Sequence, residues 1–167
     1  MIIAPINSEQ VFGTNIFDIG GTTQITTLAE QLASGGTNPP LGNTVVSNLI
    51  MTDQPLQFNF NWGVHGVFAH ALNPAFEWRI QLYFEQWGVG EFNIGAIGST
   101  SVLMGSGVPG GPDQYNFSAT INLPANTVPP ALHDVVAIIQ LYDMPSGIPC
   151  FAAAFAEFNK INFYKEH

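Results

Sequence analysis

The chain has 167 residues, which is enough for one domain with a full hydrophobic core. Only 9% of the residues are charged, and the three basic against twelve acidic side chains give a formal charge of −9. Because binding to phosphates depends on lysine and arginine, this composition argues against nucleic acid and against anionic membrane surfaces as partners. No apolar run is long enough to predict a membrane span.

Residues 1–42 are predicted to form a mostly irregular N-terminal arm that is rich in glycine and threonine. A short helix is expected over residues 27–34, with Thr26 or Thr27 as its N-cap, Glu30 at the capping-box position and Gly35 just past its end. The arm is too apolar to be a solvated tail, so it should pack on its own domain or on a neighbouring subunit. The apolar residues assigned to this arm are Ile2, Ile3, Ile6, Val11, Phe12, Ile16 and Phe17.

The N-terminus lacks the basic start and the apolar stretch of a signal peptide. We therefore expect a cytoplasmic protein or one that is released without a standard signal.

Residues 43–167 read as successive strands, and the central one is predicted over Phe76–Trp87. Large apolar side chains there occupy every second position, which gives a strand one apolar and one polar face. The same alternation predicts strands at Leu56–Trp62 and Tyr115–Leu123. Less regular runs predict strands at Val45–Met51, Glu91–Ile94, Thr100–Met104, His133–Tyr142, Cys150–Phe158 and Lys160–Tyr164, and Val64–His70 is expected to continue the Leu56–Trp62 strand after a kink at Gly63.

Seven to nine strands without a βαβ rhythm predict an all-β fold, an antiparallel two-sheet β-sandwich of jelly-roll or immunoglobulin-like type. A closed barrel is the alternative. The predicted core comprises Phe58, Phe60, Trp62, Trp78, Ile80, Leu82, Phe117, Ile121 and Ile139.

No motif for catalysis, a metal or a cofactor is present, so an enzyme is not expected. No H-x-H, H-x-x-x-H or H-E-x-x-H spacing of metal ligands occurs, and His65 and His70, five residues apart, would lie on opposite faces of a regular strand. Glu85 and Glu91 should lie nearly opposite across a hairpin, but we interpret them as surface charge. Cys150 is the only cysteine, so it has no disulfide partner in the chain, and its apolar surroundings predict an inert thiol.

Exposed aromatic residues offer one candidate ligand site. Tyr83 falls on the polar side of the predicted central strand, Trp87 lies at its turn end, and Arg79 is the only arginine. With amide neighbours, these three residues form a candidate face for neutral glycans. The competing interpretation is that they pack against a neighbouring strand or subunit.

The closing stretch F-A-A-A-F-A-E-F-N-K-I-N-F-Y and the central W-R-I-Q-L-Y-F-E-Q-W-G-V-G give the chain a resemblance to other proteins. The last hundred residues resemble small uncharacterised bacterial β-sandwich proteins. The resemblance implies one compact β domain and no particular activity.

Scarce charge, long alternating strands and an apolar arm together predict a self-assembling structural protein, a subunit of a homo-oligomer, filament or shell. On this interpretation, deletion of residues 1–20 should leave a soluble folded monomer. The alternative function is a lectin-like carbohydrate-binding module.

Overall fold

The computed structural model describes residues 2–8, 17–27, 49–70, 75–88, 90–92 and 94–165. These residues form an all-β fold with eleven strands and three short 3-10 segments, and no α-helix occurs among them. The strands are β1 (Ile2–Ser8), β2 (Asp18–Thr27), β3 (Leu49–Met51), β4 (Leu56–His65), β5 (Phe76–Gln86), β6 (Gly90–Phe92), β7 (Ser99–Leu103), β8 (Val108–Gly111), β9 (Gln114–Leu123), β10 (Ala131–Asp143) and β11 (Ile148–Tyr164). The 3-10 segments are Val67–His70, Gly95–Gly98 and Met104–Ser106.

One mixed sheet contains all eleven strands, in the order β6-β5-β10-β11-β1-β2-β4-β9-β8. In addition, β7 pairs with β5, and β3 pairs with β11. The β3–β11 pairing is parallel, whereas the other pairings are antiparallel. The antiparallel pairing that the sequence predicts is therefore found at every described pair of strands except this one.

The core is formed by strands whose side chains alternate between buried and exposed positions. On β4 the side chains of Phe58, Phe60 and Trp62 point inward, and on β5 those of Trp78 and Ile80 do so. All nine predicted core residues are buried, which confirms that part of the prediction. Since β4 and β5 are not neighbours in the sheet, their contacts show that its two ends fold over a shared core. Ring centroids lie 6.3 Å apart for Phe58–Phe84 and also for Trp62–Trp78.

The predicted central strand is an interior strand, but it lies close to one edge of the sheet. β5 pairs with β10 on one side and with the short strands β6 and β7 on the other. The remaining edge strand in the path, β8, has four residues and contains Pro109. Short edges and edge prolines oppose pairing between sheets. Among the described strands, β6 and β7 thus cover most of the outer edge of β5, whereas β8 pairs only with Gln114–Asn116 and leaves the rest of β9 with a partner on one side.

The described part of the N-terminal arm is not irregular. β1 pairs with β2 over six positions and with β11 at Asn7 and Ser8, and β2 pairs with β4 over its whole length. The alternation of Ile2, Ala4 and Ile6 puts these three side chains into the core. The predicted helix over residues 27–34 lies outside the described residues apart from Thr27, which ends β2, and the boundary between residues 42 and 43 also lies outside them.

None of the described helical segments is long and apolar enough to cross a membrane.

Candidate functional site

A cleft of about 460 Å³ lies on the outer face of β5 and is the candidate site. Its floor carries Arg79, Gln81 and Tyr83, which point outward because they alternate with the buried Trp78, Ile80 and Leu82. Register then sets the neighbours: Arg79 lies opposite Gln140 of β10 on one side and Ser101 of β7 on the other.

Arg79 is held in a fixed position within the cleft. Its Nε donates a hydrogen bond of 2.6 Å to the carboxylate of Glu77. Its guanidinium carbon lies 4.1 Å from the centroid of the Tyr142 ring, a stacking that arginine favours. The ion pair of Arg79 with Glu77 has no net charge, so the cleft is polar but nearly neutral.

Several polar groups of the cleft remain available to a ligand. Among the described residues, no partner hydrogen-bonds the Gln140 amide or the hydroxyls of Ser101, Tyr83 and Tyr142. Hydroxyls and amides both donate and accept hydrogen bonds. The cleft can therefore bind a ligand that carries mixed donors and acceptors.

Trp87 does not belong to this cleft, although the sequence grouped it with Tyr83 and Arg79. Its indole N–H donates a hydrogen bond of 2.8 Å to Asp134, and the ammonium of Lys160 lies 3.6 Å from its ring centroid. Its N–H is thus engaged within the chain and Lys160 covers one part of its ring, while the residue stays 53% exposed. The structure brings Arg79 and Tyr83 together and adds Tyr142 and Gln140, which the sequence interpretation missed.

The carboxylates considered for catalysis lie outside the cleft. Register puts Glu85 opposite Glu91, as predicted, and opposite Asp134 on the other side. Neither Glu85 nor Asp134 lines either cleft described for the chain. Among the described residues no three histidine, cysteine or acidic side chains could hold a metal ion. The absence of an enzymatic activity stays a prediction.

A second cleft, of about 530 Å³, opens where β2, β4 and β9 meet near β8. Gly20 lies opposite Gly63 in the β2–β4 register, and His65, Gln114 and Asn116 also line the cleft. The Gln114 amide donates to Asn116 at 2.9 Å, so these two polar groups already satisfy each other in part. This cleft lacks the outward tyrosines and the arginine of the first.

His133 is buried among aromatic side chains of the core and lines neither of the two clefts. Its ring packs edge-on against Phe84, Phe92 and Phe163, with centroid distances of 6.1, 6.4 and 5.4 Å. Nε2 lies 3.1 Å from the carbonyl oxygen of Pro129 and donates to it, whereas Nδ1 has no partner among the described residues. Burial lowers the pKa of His133 below its usual 6.5, against the smaller opposing effect of the Pro129 hydrogen bond.

This burial predicts a pH dependence of stability. Below the ordinary histidine pKa the unfolded chain takes up a proton that the folded chain refuses, so the free energy of unfolding should fall as pH falls from 6.5 towards the folded pKa. Urea unfolding at about pH 7.5 and about pH 5.5 measures the loss. A His133→Phe variant should lose this contribution, and a His65→Phe variant should keep it. An unchanged pH dependence in His133→Phe would contradict the assignment.

Cys150 is half-buried, and burial, followed by the charge of Asp143, raises the pKa of its thiol. Both effects disfavour the reactive thiolate. The prediction of an inert thiol thus gains a physical reason.

The seven apolar residues assigned to the N-terminal arm differ in burial where the structure describes them. Ile2, Ile6 and Phe17 are buried in the core of the chain itself, whereas Ile3 is 57% exposed. The burial of Ile2 and Ile6 follows from the pairing of β1 with β2, and Phe17, which directly precedes β2, packs edge-on against Phe151. The remaining three, Val11, Phe12 and Ile16, lie outside the described residues.

No family model matches this chain, and no curated protein is significantly similar to it. The resemblance of its last hundred residues to small bacterial β-sandwich proteins stays a prediction.

Proposed function

We propose that this protein assembles with copies of itself through an apolar band on the outer surface of β1, β10 and β11. The band consists of Ile3, Pro5, Ile138, Phe151 and Phe155. Phe155 carries the proposal, because it is 38% exposed at the middle of the band, opposite Ile138 on one side and Asn7 on the other. Phe151 is 45% exposed and packs edge-on against Phe17.

The charge distribution supports a second copy as the partner. Each chain has a formal charge of −9, so two copies repel each other wherever their acidic side chains meet. The five residues of the band carry no charge, so contact between them adds no repulsion of its own, and Glu157, two residues beyond Phe155 on the same face of β11, lies at the border of the band. Removal of apolar surface from water stabilises such a contact by about 25 cal/mol per Å².

We also propose that the sheet is a two-layer β-sandwich, as the sequence predicted. The contacts of Phe58 with Phe84 and with Phe158 support this arrangement, since they join the β4 region to β5 and β11. Strands distant in sequence become neighbours in the sheet, as in jelly-roll and immunoglobulin-like domains. In a sandwich, the band lies on an outer surface and is available to another copy.

A polar substitution in the band should weaken assembly. Phe155→Ser is expected to raise the dissociation constant by about tenfold, which corresponds to about 1.4 kcal/mol for the loss of one partly buried aromatic contact. Analytical ultracentrifugation over a concentration series measures this shift.

The matched control for this experiment is Ile97→Ser. Ile97 is 42% exposed but lies on the Gly95–Gly98 segment, away from the band. Its substitution should leave association unchanged, and thermal unfolding checks that both variants fold. Equal association of Phe155→Ser and the unsubstituted chain would refute this interface.

A further inference from the structure

We infer that the cleft on the outer face of β5 binds an uncharged glycan, with Tyr83 as the aromatic surface and Arg79, Gln140 and Ser101 as hydrogen-bonding groups. The cleft borders the assembly band at Ile138, whereas Tyr83, Arg79, Gln140 and Ser101 lie outside the band. Its volume of about 460 Å³ falls in the range of small-molecule sites, about 300–1,000 Å³.

Electrostatics favours an uncharged ligand. The single arginine of the chain is bound to Glu77, so an anion would gain little from the pair and would meet the net charge of −9. A cation would find the one carboxylate that lines the cleft, Glu77, already paired with Arg79. A ligand with many hydroxyl groups encounters neither obstacle, because it needs only donors and acceptors.

The polar groups of the cleft are arranged in advance of binding. Arg79 is fixed between the Glu77 carboxylate and the Tyr142 ring, so its remaining N–H groups have a set direction. Strand register fixes the positions of Ser101 and Gln140 on either side of Arg79. Groups that are already ordered lose less entropy when a ligand binds.

Tyr83 provides the apolar part of the site. It is 46% exposed, lines the cleft, and leaves its hydroxyl without a partner among the described residues. Sugar rings have apolar C–H faces, and an exposed aromatic ring offers them a large rigid surface. Because Tyr83 lies four residues from Arg79 on β5, about 13 Å along the strand, stacking on Tyr83 and hydrogen bonds at Arg79, Gln140 and Ser101 would engage different sugar units of one oligosaccharide.

An array of uncharged oligosaccharides and their sulfated or carboxylated counterparts tests the inference with the full-length chain. Binding to uncharged members is expected. Tyr83→Ala should lower the affinity for the best array member by tenfold or more, and Gln140→Ala by about fivefold for one lost hydrogen bond. Co-sedimentation with cellulose and with chitin distinguishes a polymer ligand from a soluble oligosaccharide.

Trp87→Ala is the matched control, since Trp87 is an exposed aromatic residue on the same hairpin outside the cleft. It should change affinity by less than about twofold. Binding should also persist in Phe155→Ser, so a failure of assembly and a failure of glycan binding are distinguishable. The inference would be overturned by no binding to any glycan, by preference for charged members, or by loss of binding in Trp87→Ala but not in Tyr83→Ala.

Discussion

Replacement of Trp78 by alanine is expected to lower the free energy of unfolding by about 3–5 kcal/mol. Trp78 is fully buried and packs edge-on against Trp62 and Phe117. Its indole N–H also donates to the sulfur of Met104 at 3.2 Å. The substitution removes a large apolar surface and leaves a cavity between the two sides of the core. Since domains are typically stable by about 5–15 kcal/mol, this loss is a large part of the total free energy of unfolding.

Trp87→Ala is the control for this experiment, because it removes the same side chain from an exposed position. Its loss should be about 1 kcal/mol, from one hydrogen bond and one cation–π contact. Urea unfolding followed by far-UV circular dichroism compares the two variants without relying on tryptophan fluorescence. Equal losses of unfolding free energy in the two variants would contradict the placement of Trp78 in the core.

Gly21→Ala is expected to cost about 3 kcal/mol, since β2 and β4 approach too closely there for a side chain. A Cβ atom at position 21 would overlap the backbone oxygen of Asn61 and lie 2.7 Å from the Cα atom of Trp62. Both are backbone atoms of a paired strand and cannot rotate away. The two strands would have to separate next to the aromatic core.

Gly20→Ala is the matched control at the neighbouring residue. A Cβ atom there meets nothing within 4 Å. Because glycine loses more conformational freedom than alanine on folding, this variant should be neutral or stabilised by up to about 1 kcal/mol. Thermal unfolding of the pair measures the contrast, and similar midpoints would contradict the close approach of β2 to β4.

Local alternation predicted much of the fold correctly. β4, β5 and β9 carry large side chains at every second position, and burial follows that period. This works because a strand with one buried face displays its orientation directly in the sequence. The order of the strands could not be read in the same way, since pairing such as β1 with β11 joins residues at opposite ends of the chain.

β1 and β2 were missed for local reasons. β1 contains Pro5, and proline is uncommon within strands, whereas the glycines and threonines of β2 obscure the alternation of the inward Ile19 and Ile25. The apolar residues Ile2, Ala4 and Ile6 nevertheless occupy every second position, which is a strand signal in the sequence. Deletion of residues 1–20 would remove an interior strand, so a folded monomer is no longer the expected product.

The candidate cleft was only partly predictable. Arg79 and Tyr83 share one strand, and their spacing placed them on one face. Gln140 and Tyr142 come from β10, about sixty residues later, and only the β5–β10 register brings them to Arg79 and Glu77. Gln140 and Tyr142 lie two residues apart on a predicted strand, so the sequence already indicated that these two side chains share a face. The contacts that remove Trp87 from the site also come from distant strands.

The mass of the full-length chain in solution tests the central proposal of self-assembly most directly. Size-exclusion chromatography with light scattering over a concentration series, followed by electron microscopy of the leading fraction, provides that measurement. We predict particles that grow with concentration and exceed the 18.0 kDa of one chain. A single species of 18.0 kDa at the highest concentration reached would contradict the proposal.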